Sequence, residues 1–331
     1  MAGGPSTPGL VIAAAEAGAI GFLAAGYKTA ADMAAEIAAV RAASSAAFGV
    51  NVFVPGEPTA EQAALAAFVD ALQKEAADLE VALGSPQWDD DGYDAKLDVL
   101  LADPPPIVSF TFGCPAPGVV RALQASGSLV AITVTTPDEA VLAHAAGADC
   151  LGLQGSEAGA HRGSFTNDDR PGQDHPLAQL LAEVRRLSDL PLIAAGGISG
   201  PDGVAEALAA GATLVQLGTA FLRCTESGAH PVYKAALADS RFTTTAITRA
   251  FSGRRARSLQ NEFMRAHEGA PAAYPNINHV TRPLRAAAAA AGDLDRMSLY
   301  AGVGYRLAED RSVGEIIERL VAGRVPPFTS P

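Results

Sequence analysis

The sequence predicts an α/β fold built around a parallel β-sheet. Short apolar runs rich in β-branched residues recur along the first two thirds of the chain, and alanine-rich, helix-like segments separate them. This alternation stops after Cys224. Strands that alternate with helices form a parallel sheet, which either closes into a barrel or stays open with helices on both faces. The sequence therefore leaves two architectures, a closed (β/α)₈ barrel and an open doubly wound sheet.

Seven runs are interpreted as strands of this sheet. Each is apolar throughout rather than alternating, as expected for parallel strands that are buried on both faces. Their number favours the TIM-type (β/α)₈ barrel over the open sheet. The predicted strands are Ile20–Leu23, Phe48–Val54, Ile107–Phe112, Leu129–Thr135, Cys150–Gln154, Leu192–Ala195 and Leu214–Gly218.

The segments between the strands carry helix boundary signals. Pro137–Ala146 and Pro201–Ala210 begin with proline and acidic residues and end close to glycine, which is typical of helix starts and stops. A barrel of this type has eight strands, and Met1–Pro5 resembles the loop that follows a strand. We therefore expect the first strand of the barrel to be missing, with its place just before Met1.

The chain is expected to form two domains. Residues 225–305 contain helix-like stretches and loops rich in Pro, Asn and Tyr, without buried strand runs. They predict a small, mainly helical domain on the substrate side, in which Ala286–Ala291 forms part of a helix. The amphipathic segment Val313–Val321 predicts a helix that packs back on the barrel. The barrel would thus comprise residues 1–224 and 306–331.

Composition and charge restrict the function. The chain has 331 residues, 49% hydrophobic and 18% charged, which is enough for a sizeable core. The formal net charge of −12 repels nucleic acid and anionic membranes, so neither is an expected partner. Three cysteines without a CxxC motif fit free thiols in a reducing cytoplasm, and no apolar stretch is long enough to span a bilayer. We expect a cytoplasmic monomer or homodimer that acts on a small molecule.

Glycine turns end the last two predicted strands. Ala195-Gly196-Gly197 and Gln216-Leu217-Gly218-Thr219 lie one strand–helix unit apart. In barrels, the loops after the last two strands often bind phosphate together with a helix N-terminus, because glycine lets backbone N–H groups approach the anion. The alternative is that the glycines only permit tight turns. The occurrence of both turns on consecutive strands favours a phosphate site.

A second group of residues follows the fifth predicted strand. Residues Gln154–Gly163 read Gln-Gly-Ser-Glu-Ala-Gly-Ala-His-Arg-Gly, and catalytic groups of barrels lie at such strand ends. Small residues around His161 leave room for a flat ring, and imidazole transfers protons near neutral pH. The alternative is a histidine in a polar loop, the interpretation preferred for His175, His230 and His267. Because no histidine pair has metal-ligand spacing, we expect no metal site.

Three weaker signals complete the candidates. Asn51 lies within a predicted strand, where a buried amide needs a partner that either a bound ring or the backbone provides. Asp89-Asp90-Asp91 is interpreted as a solvated loop. The basic run from Arg254 to Arg257 is interpreted as a set of surface salt bridges rather than a nucleic-acid site.

Taken in order, several motifs resemble the nitronate monooxygenase (2-nitropropane dioxygenase-like) family. The resemblance covers essentially the whole chain, and it rests on the order and spacing of the motifs together. The C-terminal motifs are similar to those of the class I branch. The motifs are Met1-Ala2-Gly3-Gly4, Phe48-Gly49-Val50-Asn51, Gln154–Gly163, Ala194–Ile198, Gly218-Thr219-Ala220-Phe221, Phe251–Arg257, Ala273-Tyr274-Pro275 and Leu299-Tyr300-Ala301-Gly302.

The resemblance implies a non-covalently bound FMN inside the barrel. Its phosphate would lie on the turns at Gly196-Gly197 and Gly218-Thr219, with Ala195 and Gln216 beside them. The family's adenosine-free cofactor agrees with the lack of a GxGxxG motif followed by a distant acid. The remaining residues that the resemblance places near the flavin are Met1, Ala2, Gly3, Asn51, Gln154, Gly159 and Ala160.

The resemblance also implies a reaction. In the family, a nitronate transfers one electron to the flavin, and O₂ then reacts with the products. His161 matches the active-site histidine, which would hydrogen-bond the anionic nitro group or act as a base toward a neutral nitroalkane. Tyr274 and Tyr300 become candidate substrate contacts. The class I branch acts on propionate 3-nitronate without NAD(P)H.

One departure and three alternatives accompany this interpretation. The family usually has glycine where this chain has Ala160, which adds a methyl group where the flavin approaches. A reductase that uses NAD(P)H on the same scaffold, such as an FMN-dependent enoyl-acyl-carrier-protein reductase or quinone reductase, shares the cofactor motifs. A non-catalytic flavin-binding protein and a flavin-free barrel that acts on a phosphorylated metabolite are the other two.

Overall fold

The structure, a computed structural model, describes residues 1–59, 61–169 and 172–322. In chain order, the strands are β1 (Phe22–Ala24), β2 (Gly49–Phe53), β3 (Ile107–Thr111), β4 (Leu129–Val134), β5 (Cys150–Gln154), β6 (Ala160–His161), β7 (Leu192–Ala195), β8 (Leu214–Gln216), β9 (Thr245–Thr248) and β10 (Ala256–Leu259). The helices are α1 (Pro8–Glu16), α2 (Ala30–Ala43), α3 (Gln62–Ala71), α4 (Gln73–Asp78), α5 (Tyr93–Ala102), α6 (Pro117–Ala125), α7 (Pro137–Ala145), α8 (Leu177–Val184), α9 (Pro201–Ala209), α10 (Pro231–Ala236), α11 (Glu262–Ala266), α12 (Asn276–Ala291) and α13 (Val313–Val321). Two 3₁₀ turns cover Thr219–Phe221 and Tyr305–Leu307.

A curled sheet of seven parallel strands forms the centre of the molecule, in the order β1-β2-β3-β4-β5-β7-β8. All seven strands predicted from the apolar runs are present, and their order agrees with a TIM-type fold. The central strands are buried on both faces, as the consecutive residues Val130, Ala131 and Ile132 of β4 show, which explains why their runs do not alternate. Strand β8 at the edge is partly exposed. In the described part of the chain, no ladder joins β8 to β1.

Helices surround this sheet, and their ends agree with the boundary signals. Thr29 begins α2 and Ser312 begins α13, each with a capping box that satisfies free N–H groups of the first turn. The apolar face of α13 joins the main core and packs against α1 and α9. The predicted return of this helix to the barrel is confirmed. Residues 323–331 of the predicted barrel domain lie outside the described residues.

A second sheet was not expected from the sequence. It is antiparallel, in the order β6-β10-β9, and two of its strands lie within residues 225–305, where no strand was predicted. Strand β9 is half-buried along its whole length and β10 contains Arg257, so neither produces the apolar run of a buried strand. Its third strand, β6, comes from the loop after β5, and Ala256 pairs with His161.

An apolar cluster connects residues 225–305 to another part of the chain. Phe251, Phe263 and Ile277 pack with Leu65 and Phe68 of α3. The helical part of residues 225–305 therefore packs on α3, which is inserted between β2 and β3. Ala286–Ala291 forms the end of α12, as predicted, and Gly292 ends the helix in a left-handed conformation. None of the described helices is both long and apolar enough to cross a membrane.

Candidate active site

A cavity of about 2380 Å³ runs along the parallel strands, from their amino ends, as at Leu129 and Cys150, to their carboxyl ends, as at Gln154 and Ala195. Every residue that the sequence predicted for the site lines it. They are His161, Met1, Ala2, Gly3, Asn51, Gln154, Gly159, Ala160, Ala195, Gly196, Gly197, Gln216, Gly218, Thr219, Tyr274 and Tyr300. Because many residues line a cavity of this size, the role of each candidate is inferred from its own contacts.

His161 lies in β6 of the second sheet, and its ring lies among aromatic side chains. The ring centres of Tyr300, Tyr274 and Phe112 lie 5.2, 5.8 and 5.8 Å from the imidazole centre. The imidazole Nε2 lies 2.8 Å from the hydroxyl oxygen of Ser252. Burial lowers the pKa of His161 to about 3, and the charges of two arginines act in the same direction. The imidazole is therefore neutral at neutral pH.

The two arginines that act on His161 are Arg254 and Arg285. Arg254 is buried, its Nε donates to the carbonyl of Arg162 at 3.2 Å, and its guanidinium lies 4.0 Å from the centre of the Phe112 ring. Arg285 of α12 donates from Nε to Thr281. In the described residues neither side chain forms an ion pair with a carboxylate. Their positive charge is therefore available to an anion in the cavity.

This position of Arg254 corrects the prediction for the basic run. A surface salt bridge was expected, and Arg255 does pair with Asp174. Arg254 instead points inward, because its planar guanidinium stacks on an aromatic face while its N–H groups reach backbone carbonyls. Burial lowers the pKa of Arg254 to about 10, which leaves it charged.

Gln154 and Asn51 are both engaged by the protein itself. The Gln154 amide donates to the carbonyl of His161 at 3.0 Å and accepts from the N–H of Gly163 at 2.8 Å. It thereby fixes the loop that presents the histidine. The Asn51 amide donates to the hydroxyls of Ser109 and Thr111 at 2.8 and 3.0 Å, and also to the backbone carbonyl of Ser109 at 3.4 Å. Its partners are therefore side chains and backbone of the next strand.

The loop before His161 requires small residues. A Cβ atom on Gly159 would lie 2.3 Å from the backbone nitrogen of Gly302, so the backbone at this position approaches the C-terminal segment closely. The next residue, Ala160, has a φ of 63°, a left-handed conformation that glycine adopts far more readily than alanine.

The glycine turns lie at the ends of β7 and β8. Gly196 and Gly197 have φ values of 107° and 74°, and a Cβ atom on Gly196 would lie 3.0 Å from Ala158. Helix α9 begins shortly after this turn, without a side-chain cap on its first N–H groups. At the second turn, a Cβ atom on Gly218 would lie 3.4 Å from the side chain of Met1. The first turn is thus closely packed on its Cβ side, whereas the backbone at Gly218 is open apart from Met1.

Tyrosines form the wall opposite these turns. The hydroxyl of Tyr274 is hydrogen-bonded to that of Tyr27 at 3.2 Å. The hydroxyl of Tyr300 is buried and makes no hydrogen bond of good geometry in the described residues. The sequence had identified Tyr274 and Tyr300 but not Tyr27, which carries no local motif.

The acidic loop also differs from its prediction. Asp89 pairs with His279 of α12, and Asp91 pairs with the fully buried Lys96. The expectation of a solvated loop was wrong, because the partners of these carboxylates are distant in sequence or hidden within α5. No group of three metal-ligating side chains occurs in the part of the chain that the structure describes.

Comparisons with known proteins agree with this geometry. A family model described as nitronate monooxygenase matches residues 1–323. The nitronate monooxygenase of Pseudomonas aeruginosa is 39% identical, over 96% of this chain and 93% of that protein. The solved structure of a nitroalkane oxidase from Streptomyces ansochromogenes has a TM-score of 0.94 and 50% identity, over 97% of this chain and 93% of that chain. FabK from Thermotoga maritima is less similar, with a TM-score of 0.71 and 27% identity over 97% and 89% of the two chains.

The chain belongs to the nitronate monooxygenase family. Members of the nitronate monooxygenase family are oxidoreductases and flavoproteins. The cavity thus belongs to an enzyme, and the resemblance seen in the sequence motifs is confirmed. The similarity to the nitroalkane oxidase extends to nearly the whole chain, including the second sheet and α12.

Proposed function

We propose that the protein is an FMN-dependent nitronate monooxygenase that oxidises alkyl nitronates, such as propionate 3-nitronate, with O₂. The observation that carries this proposal is the neutral His161 beside Arg254 and Arg285. A base with a pKa near 3 removes a carbon-bound proton poorly. A nitronate has already lost that proton, and its negative charge fits the two guanidinium groups, which form no ion pair within the described residues. The site therefore favours nitronates over neutral nitroalkanes.

The residues present fit FMN. The left-handed turn at Gly196-Gly197 and the open backbone at Gly218 leave room for a phosphate, and the uncapped N-terminus of α9 supplies partial positive charge. Gly159 and Ala160 would lie against the ring. When bound there, FMN would supply the electron acceptor for the nitronate.

The chain's own side chains would bind and orient the substrate. His161 would hydrogen-bond an oxygen of the anionic nitro group, while Ser252 holds the imidazole at Nε2. Tyr274, Tyr300 and Phe112 pack around the imidazole, and His161 stays partly exposed to the cavity. The buried Arg254 attracts an anion more strongly than an exposed arginine would, because its surroundings are less polar than water.

We further propose that residues 225–305 act as the substrate-side domain, since His161, Ser252, Tyr274 and Tyr300 meet along the second sheet and α12. The net charge of −12 supports a small-molecule substrate rather than nucleic acid or an anionic membrane. A cytoplasmic location and a monomeric or homodimeric state stay predictions.

The proposal is tested by anaerobic mixing of the purified protein with propionate 3-nitronate and, separately, with NADH. We expect the nitronate to change the flavin absorbance and NADH to leave it unchanged. Reduction by NADH alone would identify a reductase on the same scaffold. A flavin that responds to neither compound would indicate a non-catalytic flavin-binding protein, and a colourless protein that does not take up FMN would contradict the cofactor.

A further inference from the structure

Tyr27 occupies an unusual position in the wall of the cavity. It follows β1 and has a φ of 67°, a conformation that bulky residues rarely adopt and that often accompanies a functional constraint. Its ring packs edge-on against Phe53, with 5.5 Å between the ring centres. Its hydroxyl is hydrogen-bonded to the hydroxyl of Tyr274. The strained backbone thus directs a phenol toward a residue that touches His161.

The paired hydroxyls of Tyr27 and Tyr274 keep one proton that their mutual hydrogen bond does not use. Each hydroxyl carries one proton, and the bond between them uses one of the two, so the pair retains one O–H that can donate to a ligand. Tyr27 is partly exposed to the cavity, and the pKa of a phenol lies well above neutral pH, so its hydroxyl stays protonated. Such a donor fits an anionic oxygen.

An ion pair between Asp91 and the buried Lys96 fixes the backbone of Tyr27. The backbone N–H of Tyr27 donates to Asp91 Oδ1 at 2.9 Å, and Asp91 Oδ2 lies 2.7 Å from Nζ of Lys96. Lys96 is completely buried in α5. Removing one partner of such a pair leaves the other charge buried and unpaired. The position of Asp91, and with it the backbone of Tyr27, is therefore fixed from the protein interior.

The same loop reaches the opposite side of the cavity. Asp89 Oδ2 lies 2.5 Å from Nε2 of His279 on α12, and the indole N–H of Trp88 donates to the carbonyl of Gly56 at 3.1 Å. Residues 88–91, called the strap below, thus connect the turn after β1 to α12. Trp88 is the only tryptophan of the chain, so its fluorescence reports on the strap.

We propose that Tyr27 is a substrate-binding residue, that its hydroxyl pair with Tyr274 donates a hydrogen bond to an anionic oxygen of the substrate, and that the Asp91–Lys96 pair positions it. This inference rests on the proposed function and extends it to a specific contact. The oxygen belongs either to the nitronate group or to a carboxylate on the same substrate. Ethyl nitronate, which has no carboxylate, distinguishes the two sources.

The direct test is Tyr27→Phe in the flavin-loaded enzyme. A hydrogen bond to a charged group changes affinity by roughly tenfold or more, so we expect the KM for propionate 3-nitronate to rise by about that factor. The fall in kcat/KM should come from KM, as for a contact made equally in the ground and transition states. A similar rise with ethyl nitronate assigns the contact to the nitronate group, and a rise with propionate 3-nitronate alone assigns it to the carboxylate. An unchanged KM with both substrates overturns the proposal.

A binding measurement separates this inference from the proposed function. Nitrate is a planar oxyanion that resembles a nitronate group and is not oxidised, and calorimetry gives its Kd without turnover. We expect Tyr27→Phe to weaken nitrate binding by about tenfold. If the wild-type enzyme fails to oxidise nitronates, the proposed function is wrong, but this comparison still tests Tyr27. If Tyr27→Phe binds nitrate as tightly as the wild type and also has the same KM, the proposed role of Tyr27 is wrong.

The positioning role is tested through Asp91. Asp91→Asn should weaken nitrate binding as Tyr27→Phe does, and the double variant should bind no more weakly than the worse single variant. The emission of Trp88 should shift in Asp91→Asn but not in Tyr27→Phe, because only the former releases the strap. Asp94→Asn, an exposed acid in the first turn of α5, is the matched control and should change neither property. Additive losses in the double variant would show that Asp91 does not act through Tyr27.

Discussion

The Nε2 atom of His161 lies 2.8 Å from the hydroxyl oxygen of Ser252, and the two residues are 91 positions apart in the chain. Ser252 is buried and also accepts a hydrogen bond from the N–H of Arg254. The contact therefore joins β6, which follows barrel strand β5, to the loop between β9 and β10. It fixes the ring of a neutral imidazole, so the orientation of His161 depends on residues from two distant parts of the chain.

Replacing His161 by Asn should reduce turnover while leaving the flavin content nearly unchanged. A hydrogen bond to a charged group contributes roughly tenfold or more. The loss should be similar with nitronates and with neutral nitroalkanes, because an imidazole with a pKa near 3 orients the nitro group rather than removing a proton. His144→Asn, which changes a histidine bonded to Ser188 on the outside of the barrel, serves as the control. A turnover equal to that of the wild type with both substrate types would return His161 to a structural role.

The pH dependence of catalysis should lack the inflection of an ordinary histidine. Burial lowers the pKa of His161 to about 3, so the imidazole stays neutral from pH 5 upward. We expect kcat/KM for a nitronate to show no titration near pH 6.5, since this parameter reports the ionisations of the free enzyme and free substrate. An inflection near pH 6.5 that disappears in His161→Asn would contradict the lowered pKa.

The same ionisation predicts how stability depends on pH. The pKa of His161 is lower in the folded protein, about 3, than in the unfolded chain, about 6.5. Between these values the unfolded chain binds the additional proton, so the free energy of unfolding decreases as the pH falls from 6.5 toward 3. Above pH 6.5 the contribution is complete. The unfolding midpoint of the wild type should therefore fall more steeply between pH 7 and pH 5 than that of His161→Asn.

Much of the fold could be predicted from the sequence because its signals are local. Each barrel strand is a short apolar run, and each run became a strand in the structure. The second sheet was missed because β9 and β10 are short, partly exposed and rich in polar residues. Their pairing depends on contacts with a loop far away in sequence, which no local period reveals.

The candidate site shows the same division. Glycine turns and the loop containing His161 are visible as motifs, and the residues predicted from them for the site line the cavity. Arg254 was assigned to the surface because a basic run resembles a solvated face. In the structure its guanidinium covers the ring of Phe112, which directly follows β3. Tyr27, Asp91 and Lys96 act as a group only after folding. No sequence motif identifies them, because the burial of Lys96 and its pairing with Asp91 are seen only in the structure.

Replacing Ala160 by glycine should improve flavin binding with little change in stability. The φ of 63° costs alanine about 1–2 kcal/mol, while the greater freedom of glycine in the unfolded chain costs about 0.5–1 kcal/mol. The net gain is therefore about 0–1.5 kcal/mol. Loss of the methyl group should lower the Kd for FMN, measured by fluorescence titration of the flavin-free protein. Ala290→Gly on the exposed side of α12 is the control, which should lose about 1 kcal/mol without a change in FMN affinity.

Replacing Gly218 by valine should abolish FMN binding more than it lowers stability. The backbone at Gly218 is not left-handed, with a φ of −118°, and a Cβ atom there meets only the Met1 side chain at 3.4 and 3.5 Å. The folded protein can therefore accept a branched side chain with small adjustments, whereas a phosphate on this turn loses its close approach to the backbone. Thermal unfolding without flavin measures the first effect, and FMN titration measures the second. Gly118→Val in α6, where a Cβ atom has open space, should change stability little, since valine is a better helix former than glycine, and should leave FMN affinity unchanged. Wild-type affinity in Gly218→Val would place the phosphate elsewhere in the cavity.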